Sequence, residues 1–88
     1  MIDIVIPVFN EGDNIKNLLD EMLEKIHTKF SVIIIYDSAD DNTLPVINQL
    51  KSYYPFEIFL EKNLYGSGFG NAFQTAVQVA KGSYWVMV

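Results

Sequence analysis

The chain has 88 residues, of which half are hydrophobic and only 19% are charged, so a disordered tail is excluded and one small domain is expected. The formal net charge is −5, with six scattered lysines and no arginine, which argues against nucleic acid as a partner. Cysteine is absent, which excludes disulfides, thiolate nucleophiles and cysteine-ligated zinc.

The first half of the chain predicts two buried strands with a helix between them. Residues 2–8 and 30–36 are short runs rich in β-branched residues, as in strands that are covered on both faces. Between them, apolar residues recur from Ile15 at spacings of three and four, which is typical of an amphipathic helix. We expect Asn10 to be the N-cap of this helix.

The second half repeats the alternation. Helical spacing of apolar residues runs over 44–54, and a third strand is predicted at 56–60. The glycine-rich segment 66–70 predicts a flexible loop, and a third helix follows over 72–80. Residues 83–88 predict a fourth strand.

This order predicts an α/β fold. Buried strands that alternate with amphipathic helices form a three-layer, Rossmann-like sandwich, here with a mainly parallel four-stranded sheet and about three helices. In open sheets of this class, ligands bind beyond the carboxyl ends of the strands, near the point where the strand order reverses. The candidate binding segments are therefore residues 7–13, 37–43 and 61–71.

Two of these segments carry side chains suited to a nucleoside. Pro7 and Phe9 could frame a base or a ribose, and the Glu11 carboxylate could accept hydrogen bonds from ribose hydroxyls. Asp37 directly follows the second strand, where it could accept a hydrogen bond from the N–H edge of a base such as uracil or guanine. The alternative for the first segment is an ordinary strand end, turn and helix cap.

The remaining polar residues of these segments have simpler interpretations. Asp40, Asp41 and Thr43 are expected to cap the second helix. The glycines at 66–70 could bring backbone close to a phosphate at a helix N-terminus, or could form only a flexible connection. Their spacing fits neither a P-loop nor a dinucleotide-binding fingerprint.

Taken together, the three segments resemble the nucleotide-binding part of a family 2 glycosyltransferase with the GT-A fold. The residues that carry the resemblance are Ile4–Glu11, Tyr36–Asp37, Asp41–Thr43, Asn63, Gly66, Gly68, Asn71, Ala72 and Ala80–Tyr84. The segment 40–47, Asp-Asp-Asn-Thr-Leu-Pro-Val-Ile, looks most similar to the branch of dolichol- or polyprenyl-phosphate mannosyltransferases.

The resemblance implies a set of residues that contact the nucleotide-sugar donor, and no catalytic residue. These are Pro7, Phe9 and Glu11 for the nucleoside, Tyr36 and Asp37 for the base, and Gly66 and Gly68 for the donor pocket. It further implies that residues 1–88 are a single N-terminal domain that stops before the family's acidic metal-binding motif. A divalent cation, Mg or Mn, is then expected for the full protein, and it is not fully coordinated by these residues.

The donor is expected to be a GDP- or UDP-sugar, and the acceptor a lipid phosphate such as polyprenyl or dolichyl phosphate. Because the sequence shows no signal peptide and no apolar run of about 20 residues, we expect a cytoplasmic chain from a protein at the cytoplasmic face of a membrane. The apolar strand 84–88 predicts self-association through an exposed edge or apolar surface.

Three other functions are open alternatives. A receiver-like signalling domain needs adjacent acids after the first strand, where this chain has Pro7-Val8-Phe9-Asn10. A sugar nucleotidyltransferase needs a basic first loop, and no lysine or arginine precedes Lys16. A non-enzymatic interaction module would bind no nucleotide.

Overall fold

The computed structural model describes residues 2–64, 69–79 and 84–87, which fold around one parallel sheet. The strands are β1 (Ile2–Pro7), β2 (Phe30–Tyr36), β3 (Ile58–Lys62) and β4 (Tyr84–Met87). They lie in the order β3-β2-β1-β4, and every neighbouring pair is parallel. The predicted α/β class with a parallel sheet is therefore confirmed.

Helices connect the strands and cover both faces of the sheet. They are α1 (Ile15–Lys25), α2 (Thr43–Leu50), which continues into a short 3-10 turn over Lys51–Tyr53, and α3 (Phe69–Val79). Buried side chains of α1 and α2 pack in one core cluster and those of α3 in another. Within the described ranges, no helix combines the length and apolar character needed to cross a membrane.

The two core clusters follow from the alternation of side chains along the strands. Ile4, Ile6, Val32 and Ile34 belong to the cluster under α1 and α2, because residues two apart point to the same face. The opposite face is thinner. It holds Val5, Ile33 and Ile35 of the strands, against Ala72 and Ala76 of α3. The small alanine side chains let α3 lie close to the sheet.

Two boundaries differ from the sequence prediction for identifiable reasons. β3 begins at Ile58 rather than at Phe56, because Phe56 is buried in an aromatic group with Phe30 and Tyr54 before the strand ladder starts. The third helix begins at Phe69, so Gly70 lies in its first turn instead of in a loop. A Cβ at Gly70 would meet nothing within 4 Å, so no close contact sets this position apart from an ordinary helical one.

The predicted N-cap of the first helix was also wrong. α1 begins at Ile15, after a turn in which the Asn14 and Ile15 amides donate to the Glu11 carbonyl at 3.0 and 2.9 Å. Asn10 lies outside that turn, in the left-handed region with φ of 51°, a conformation that asparagine tolerates better than most residues. Tertiary contacts described below require this conformation.

Candidate functional site

A cleft of about 260 Å³ opens at the carboxyl end of β1, between the end of β2 and the start of α3. Its lining residues are Pro7, Val8, Phe9, Glu11, Ile35, Asp37 and Ala72. The chain runs from β1 outward to β2 and β3, and then returns to place β4 on the other side of β1. The cleft therefore adjoins the point where the strand order reverses, which is where open α/β sheets bind ligands.

The structure brings together most of the site residues predicted from sequence. Pro7, Phe9, Glu11 and Asp37 all line the cleft, although they come from two strands that are separated by α1. Phe9 is 73% exposed, so its ring is available to a ligand. Tyr36 is different: its side chain packs against the core cluster under α1 and α2 and does not line the cleft.

The predicted contribution of the glycine-rich loop lies outside the described part of the chain. Gly66 and Gly68 fall in the range 65–68. The structure describes α3 from Phe69 onward, and Ala72 is the residue of α3 that lines the cleft. The roles of these two glycines in shaping a donor pocket stay predictions.

The β1 side of the cleft is a turn whose backbone amides are held by side chains of the loop after β2. Asn10 N donates to Asp41 Oδ2 at 3.0 Å, Glu11 N to Thr43 Oγ1 at 2.8 Å, and Gly12 N to Asn42 Oδ1 at 2.8 Å. In return, the backbone N–H of Asn42 donates to Asn10 Oδ1 at 3.0 Å. We call residues 10–12 and 41–43 the loop clamp. It fixes the turn that carries Phe9 and Glu11.

Asp41 is the buried centre of the loop clamp, with 6% of its surface exposed. Its Oδ1 accepts from the Thr43 amide at 2.8 Å, while its Oδ2 accepts from the Asn10 amide. Burial by itself raises the pKa of Asp41, but hydrogen bonds from the Thr43 side chain and from the Asn10 and Thr43 amides outweigh it and hold the pKa below 3.8. The carboxylate is therefore ionised, and it caps the first amide of α2, that of Thr43.

The capping role expected of Thr43 was wrong, because its hydroxyl accepts from the Glu11 amide of the other loop. The N-cap residue of α2 is Asn42, and within the described residues Asp40 makes no side-chain hydrogen bond to the helix.

Gly12 is required where the two loops of the clamp touch. A Cβ at this position would lie 2.8 Å from the Asn42 carbonyl oxygen and 2.9 Å from Asn42 Oδ1. Contacts this short are not tolerated, so only glycine lets the Gly12 amide reach the Asn42 side chain. The Glu-Gly pair at 11 and 12 thus has a packing reason.

The β2 side of the cleft is held differently, by a chain of side-chain hydrogen bonds. Asn63, which directly follows β3, donates from Nδ2 to Asp37 Oδ1 at 3.0 Å. Its Oδ1 accepts from the hydroxyl of Thr75 on α3 at 2.9 Å, and Thr75 Oγ1 accepts from the Leu64 amide at 2.9 Å. We call Asp37, Asn63 and Thr75 the Asn63 bridge. It joins the ends of β2 and β3 to α3.

The chemistry of the cleft favours ligands that donate hydrogen bonds. Glu11 and Asp37 are half-buried carboxylates, and the other lining side chains are apolar, the exposed Phe9 ring among them. In the described part of the chain, Asp37 Oδ2 has no hydrogen-bond partner and so remains available as an acceptor. Carboxylates repel phosphate and attract N–H and O–H groups, as found on bases and ribose.

The described residues do not form a metal site. In the ranges 2–64, 69–79 and 84–87, no three His, Cys, Asp or Glu side chains are placed to share an ion. Asp41, the buried acid of the loop clamp, already accepts from two backbone amides. The described residues therefore do not fit a divalent cation.

Sequence reasoning did not assign a role in the site to Thr75, and it recorded Asn63 only as part of a resemblance. A signal for Thr75 is nevertheless present. Thr75 lies three residues after Ala72 on the apolar stripe of α3, where a fully buried hydroxyl needs a partner. Asn63 is likewise a buried polar residue at the end of a strand. Both positions indicate a buried polar network before its geometry is known.

Comparisons with known proteins agree with this geometry. Residues 3–88 match the family model described as glycosyl transferase family 2. The poly(ribitol-phosphate) beta-glucosyltransferase of Bacillus spizizenii is 33% identical over 99% of this chain and 14% of its own length. The UDP-Glc:alpha-D-GlcNAc-diphosphoundecaprenol beta-1,3-glucosyltransferase WfaP of Escherichia coli is 31% identical over 96% of this chain and 32% of its own. The chain thus spans less than a third of either relative.

Two solved structures share the fold. The mannosyltransferase PcManGT from Pyrobaculum calidifontis, in complex with GDP-Man and Mn2+, superposes with a TM-score of 0.78 at 21% identity, over 92% of this chain and 24% of that one. S. aureus TarS 1-349, in complex with UDP-GlcNAc, gives a TM-score of 0.79 at 20% identity, over 99% of this chain and 25% of that one. These likenesses show the GT-A type of fold.

Proposed function

The chain belongs to glycosyl transferase family 2, and from that premise we propose that it forms the nucleoside-binding part of an enzyme that transfers a sugar from a GDP- or UDP-linked donor. The observation that carries the proposal is the cleft at the carboxyl end of β1. There Pro7, Phe9, Glu11 and Asp37 converge from two strands on a single opening. In this proposal residues 1–88 form one domain, and the reacting centre of the full protein lies in other residues.

Each side of the cleft suits one part of a nucleoside. The exposed Phe9 ring offers a face on which a base can stack, which is worth about 1–3 kcal/mol per base in other proteins. Asp37 Oδ2 is available to accept from a ring N–H, and Glu11 lies on the same opening for ribose hydroxyls. The nucleoside is therefore the part of the donor that these residues recognise.

The finer features of the full enzyme are also proposals. The relatives whose printed names mention poly(ribitol-phosphate) and diphosphoundecaprenol support an acceptor that carries phosphate, and we propose a polyprenyl or dolichyl phosphate. We further propose a cytoplasmic location at a membrane face. A Mg or Mn ion would be held by residues outside those described, as the Mn2+ of the mannosyltransferase complex suggests.

The central experiment measures nucleotide binding by calorimetry. We expect the folded chain to bind either UDP or GDP. The nucleotide whose base lacks the ring N–H should bind more weakly, which is CDP in comparison with UDP and ADP in comparison with GDP. Asp37→Asn should weaken binding by tenfold or more, because a hydrogen bond to a charged group is worth about 1.5–3 kcal/mol. Asp40→Asn, an exposed change outside the cleft lining, is the matched control.

Two results would count against the proposal. A folded wild-type chain that binds neither UDP nor GDP would remove the nucleoside site. Equal binding by Asp37→Asn and Asp40→Asn would remove Asp37 from it.

Self-association is a separate proposal. In the described sheet, β3 and β4 are the edge strands, and Phe59 of β3 is 45% exposed. Unpaired edges with exposed apolar side chains favour pairing with another chain. Light scattering should find dimers or larger species, and a monomer at high concentration would contradict the proposal.

A further inference from the structure

We propose that Thr75, acting through Asn63, is a positioning residue that sets the base preference of the cleft by orienting Asp37. This inference rests on the proposed nucleoside-binding function. Thr75 does not line the cleft, and Asn63 does not line it either. In this proposal both act on a ligand through the Asp37 carboxylate.

The orientation of the Asn63 side chain is the first step. An asparagine amide has one donor end and one acceptor end, and either can face a given neighbour. Here the NH₂ group faces Asp37 Oδ1 at 3.0 Å and the carbonyl oxygen faces Thr75 Oγ1 at 2.9 Å. The reverse orientation would set the amide oxygen against the Asp37 carboxylate, two acceptors with no hydrogen between them.

The Thr75 hydroxyl is what selects this orientation. It is fully buried on α3, and it accepts from the Leu64 amide at 2.9 Å. With that lone pair occupied, its hydrogen is directed to an acceptor, either Asn63 Oδ1 at 2.9 Å or the Asn71 carbonyl at 3.1 Å. When it points to Asn63, the amide NH₂ must face Asp37.

The backbone holds this chain of bonds at a fixed distance from the cleft. The backbone N–H of Asn63 donates to the Tyr36 carbonyl at 2.7 Å, which extends the β2–β3 ladder to the residue before Asp37. Asn63 and Asp37 therefore lie side by side at the ends of neighbouring strands. Binding Oδ1 of Asp37 restricts rotation of the carboxylate and leaves Oδ2 as the acceptor for a ligand.

The chain offers a matched pair of variants for the test. Thr75→Val keeps the shape of the side chain and removes the hydroxyl, whereas Thr75→Ser keeps the hydroxyl and removes a methyl group. The readout is the ratio of the dissociation constant of CDP to that of UDP, or of ADP to that of GDP, whichever pair contains the nucleotide that binds more tightly. Uracil and guanine carry a ring N–H where cytosine and adenine carry an unprotonated ring nitrogen. Because only the N–H can donate to the Asp37 carboxylate, the ratio reports on Asp37.

We expect Thr75→Val to reduce the ratio about five- to tenfold and Thr75→Ser to restore most of it. In the Asp37→Asn background, Thr75→Val should change the ratio no further, because both changes act through one carboxylate. Faster hydrogen exchange of the Leu64 amide in Thr75→Val, and slow exchange in Thr75→Ser, would show that the hydroxyl contact exists in solution.

The outcomes separate this inference from the function on which it rests. A folded wild-type chain that binds no nucleotide overturns both. Binding by wild type with an unchanged ratio in Thr75→Val, or an equal loss for both bases of the pair, overturns only the positioning role. If Thr75→Val does not fold, Asn63→Asp in a folded chain decides: it sets two carboxylates together and must also reduce the ratio.

Discussion

The two sides of the cleft are held in place by different kinds of hydrogen bond. On the β1 side, the loop clamp holds backbone amides of residues 10–12 with side chains of the opposite loop. On the β2 side, the Asn63 bridge holds the Asp37 carboxylate with the side chains of Asn63 and Thr75. The hydrogen bonds of the loop clamp fix backbone, whereas those of the Asn63 bridge fix the Asp37 carboxylate.

This difference separates the roles of the residues. Phe9 and Glu11 are carried by a turn whose backbone is held by other side chains. The Glu11 carboxylate adds only a long, exposed contact with Asn14 Nδ2 at 3.5 Å, so a change at Phe9 or Glu11 should loosen the turn little.

The Asp37 carboxylate is itself one partner of the Asn63 bridge, so under the proposed function a change at Asp37, Asn63 or Thr75 should alter ligand recognition. Two aspartates four residues apart thus have different surroundings: Asp41 is buried in the loop clamp, and Asp37 lines the cleft, where we propose that it recognises the base.

The largest expected effect comes from the centre of the loop clamp. In wild type the backbone amides of Asn10 and Thr43 both donate to the Asp41 carboxylate. Asp41→Asn sets an NH₂ group against one of these amides, so a buried donor loses its acceptor. We expect the free energy of unfolding to fall by about 2–3 kcal/mol in urea titrations. Asp40→Asn, one residue away and exposed, should change it by less than about 0.5 kcal/mol. Equal effects would show that the clamp contributes nothing to stability.

A somewhat smaller effect is expected where the two loops touch. Gly12→Ala should cost about 1–3 kcal/mol, since its Cβ would lie 2.8 Å from the Asn42 carbonyl and the loops must separate. The same substitution at Gly70, which has free space around it in the first turn of α3, should stabilise the chain by about 0.5–1 kcal/mol. Thermal unfolding of the two variants tests the sign, and a stabilising Gly12→Ala would contradict the clamp geometry.

Acid should weaken the clamp as Asp41→Asn does, because a protonated carboxyl, like the asparagine side chain, presents a donor to one of the two backbone amides that the carboxylate binds. The folded pKa of Asp41 is held below its ordinary value of 3.8, so its stabilisation is complete well above pH 3.8. That stabilisation is lost as the pH falls through 3.8 and the lower folded pKa. We expect unfolding measurements between pH 6 and 2.5 to show a shallower acid decline in Asp41→Asn than in wild type.

A second carboxylate provides the control for that experiment. Hydrogen bonds from Lys16 and Tyr54 lower the pKa of Asp20, which lies far from the cleft on α1. Asp20→Asn should therefore also flatten the acid decline, and its effect should add to that of Asp41→Asn. An acid decline that is identical in wild type and Asp41→Asn would contradict the lowered pKa of Asp41.

The smallest effect concerns the left-handed residue at the start of the clamp. Asn10→Gly keeps φ of 51° accessible and loses only the acceptor for an exposed amide, so stability should change little. Asn10→Ala should be less stable than Asn10→Gly by about 1 kcal/mol, because a Cβ disfavours this conformation. Chemical denaturation of the two variants measures the difference, and equal stability would place residue 10 in another conformation in solution.

Much of the fold and part of the site could be predicted from the sequence, for physical reasons. Runs such as residues 30–36 are apolar throughout because a parallel strand is covered on both faces, and β2 has those bounds in the structure. Asp37 follows that strand directly, so its place at the carboxyl edge was also predictable. The local prediction failed at Asn10, whose conformation is set by residues about 31 positions away.

By itself, the sequence determined the alternation of strands and helices and the edge of the sheet at which polar residues gather, since both depend on local periodicity and on chain order. Only the tertiary structure decided what each polar residue does there. It packed Tyr36 against the core rather than in the cleft, made Asp41 a buried support, and joined Thr75 to Asp37 through Asn63. Hydrogen bonds between groups distant in sequence depend on directions that no local pattern encodes, and these contacts distinguish the supporting residues from those that we propose recognise a ligand.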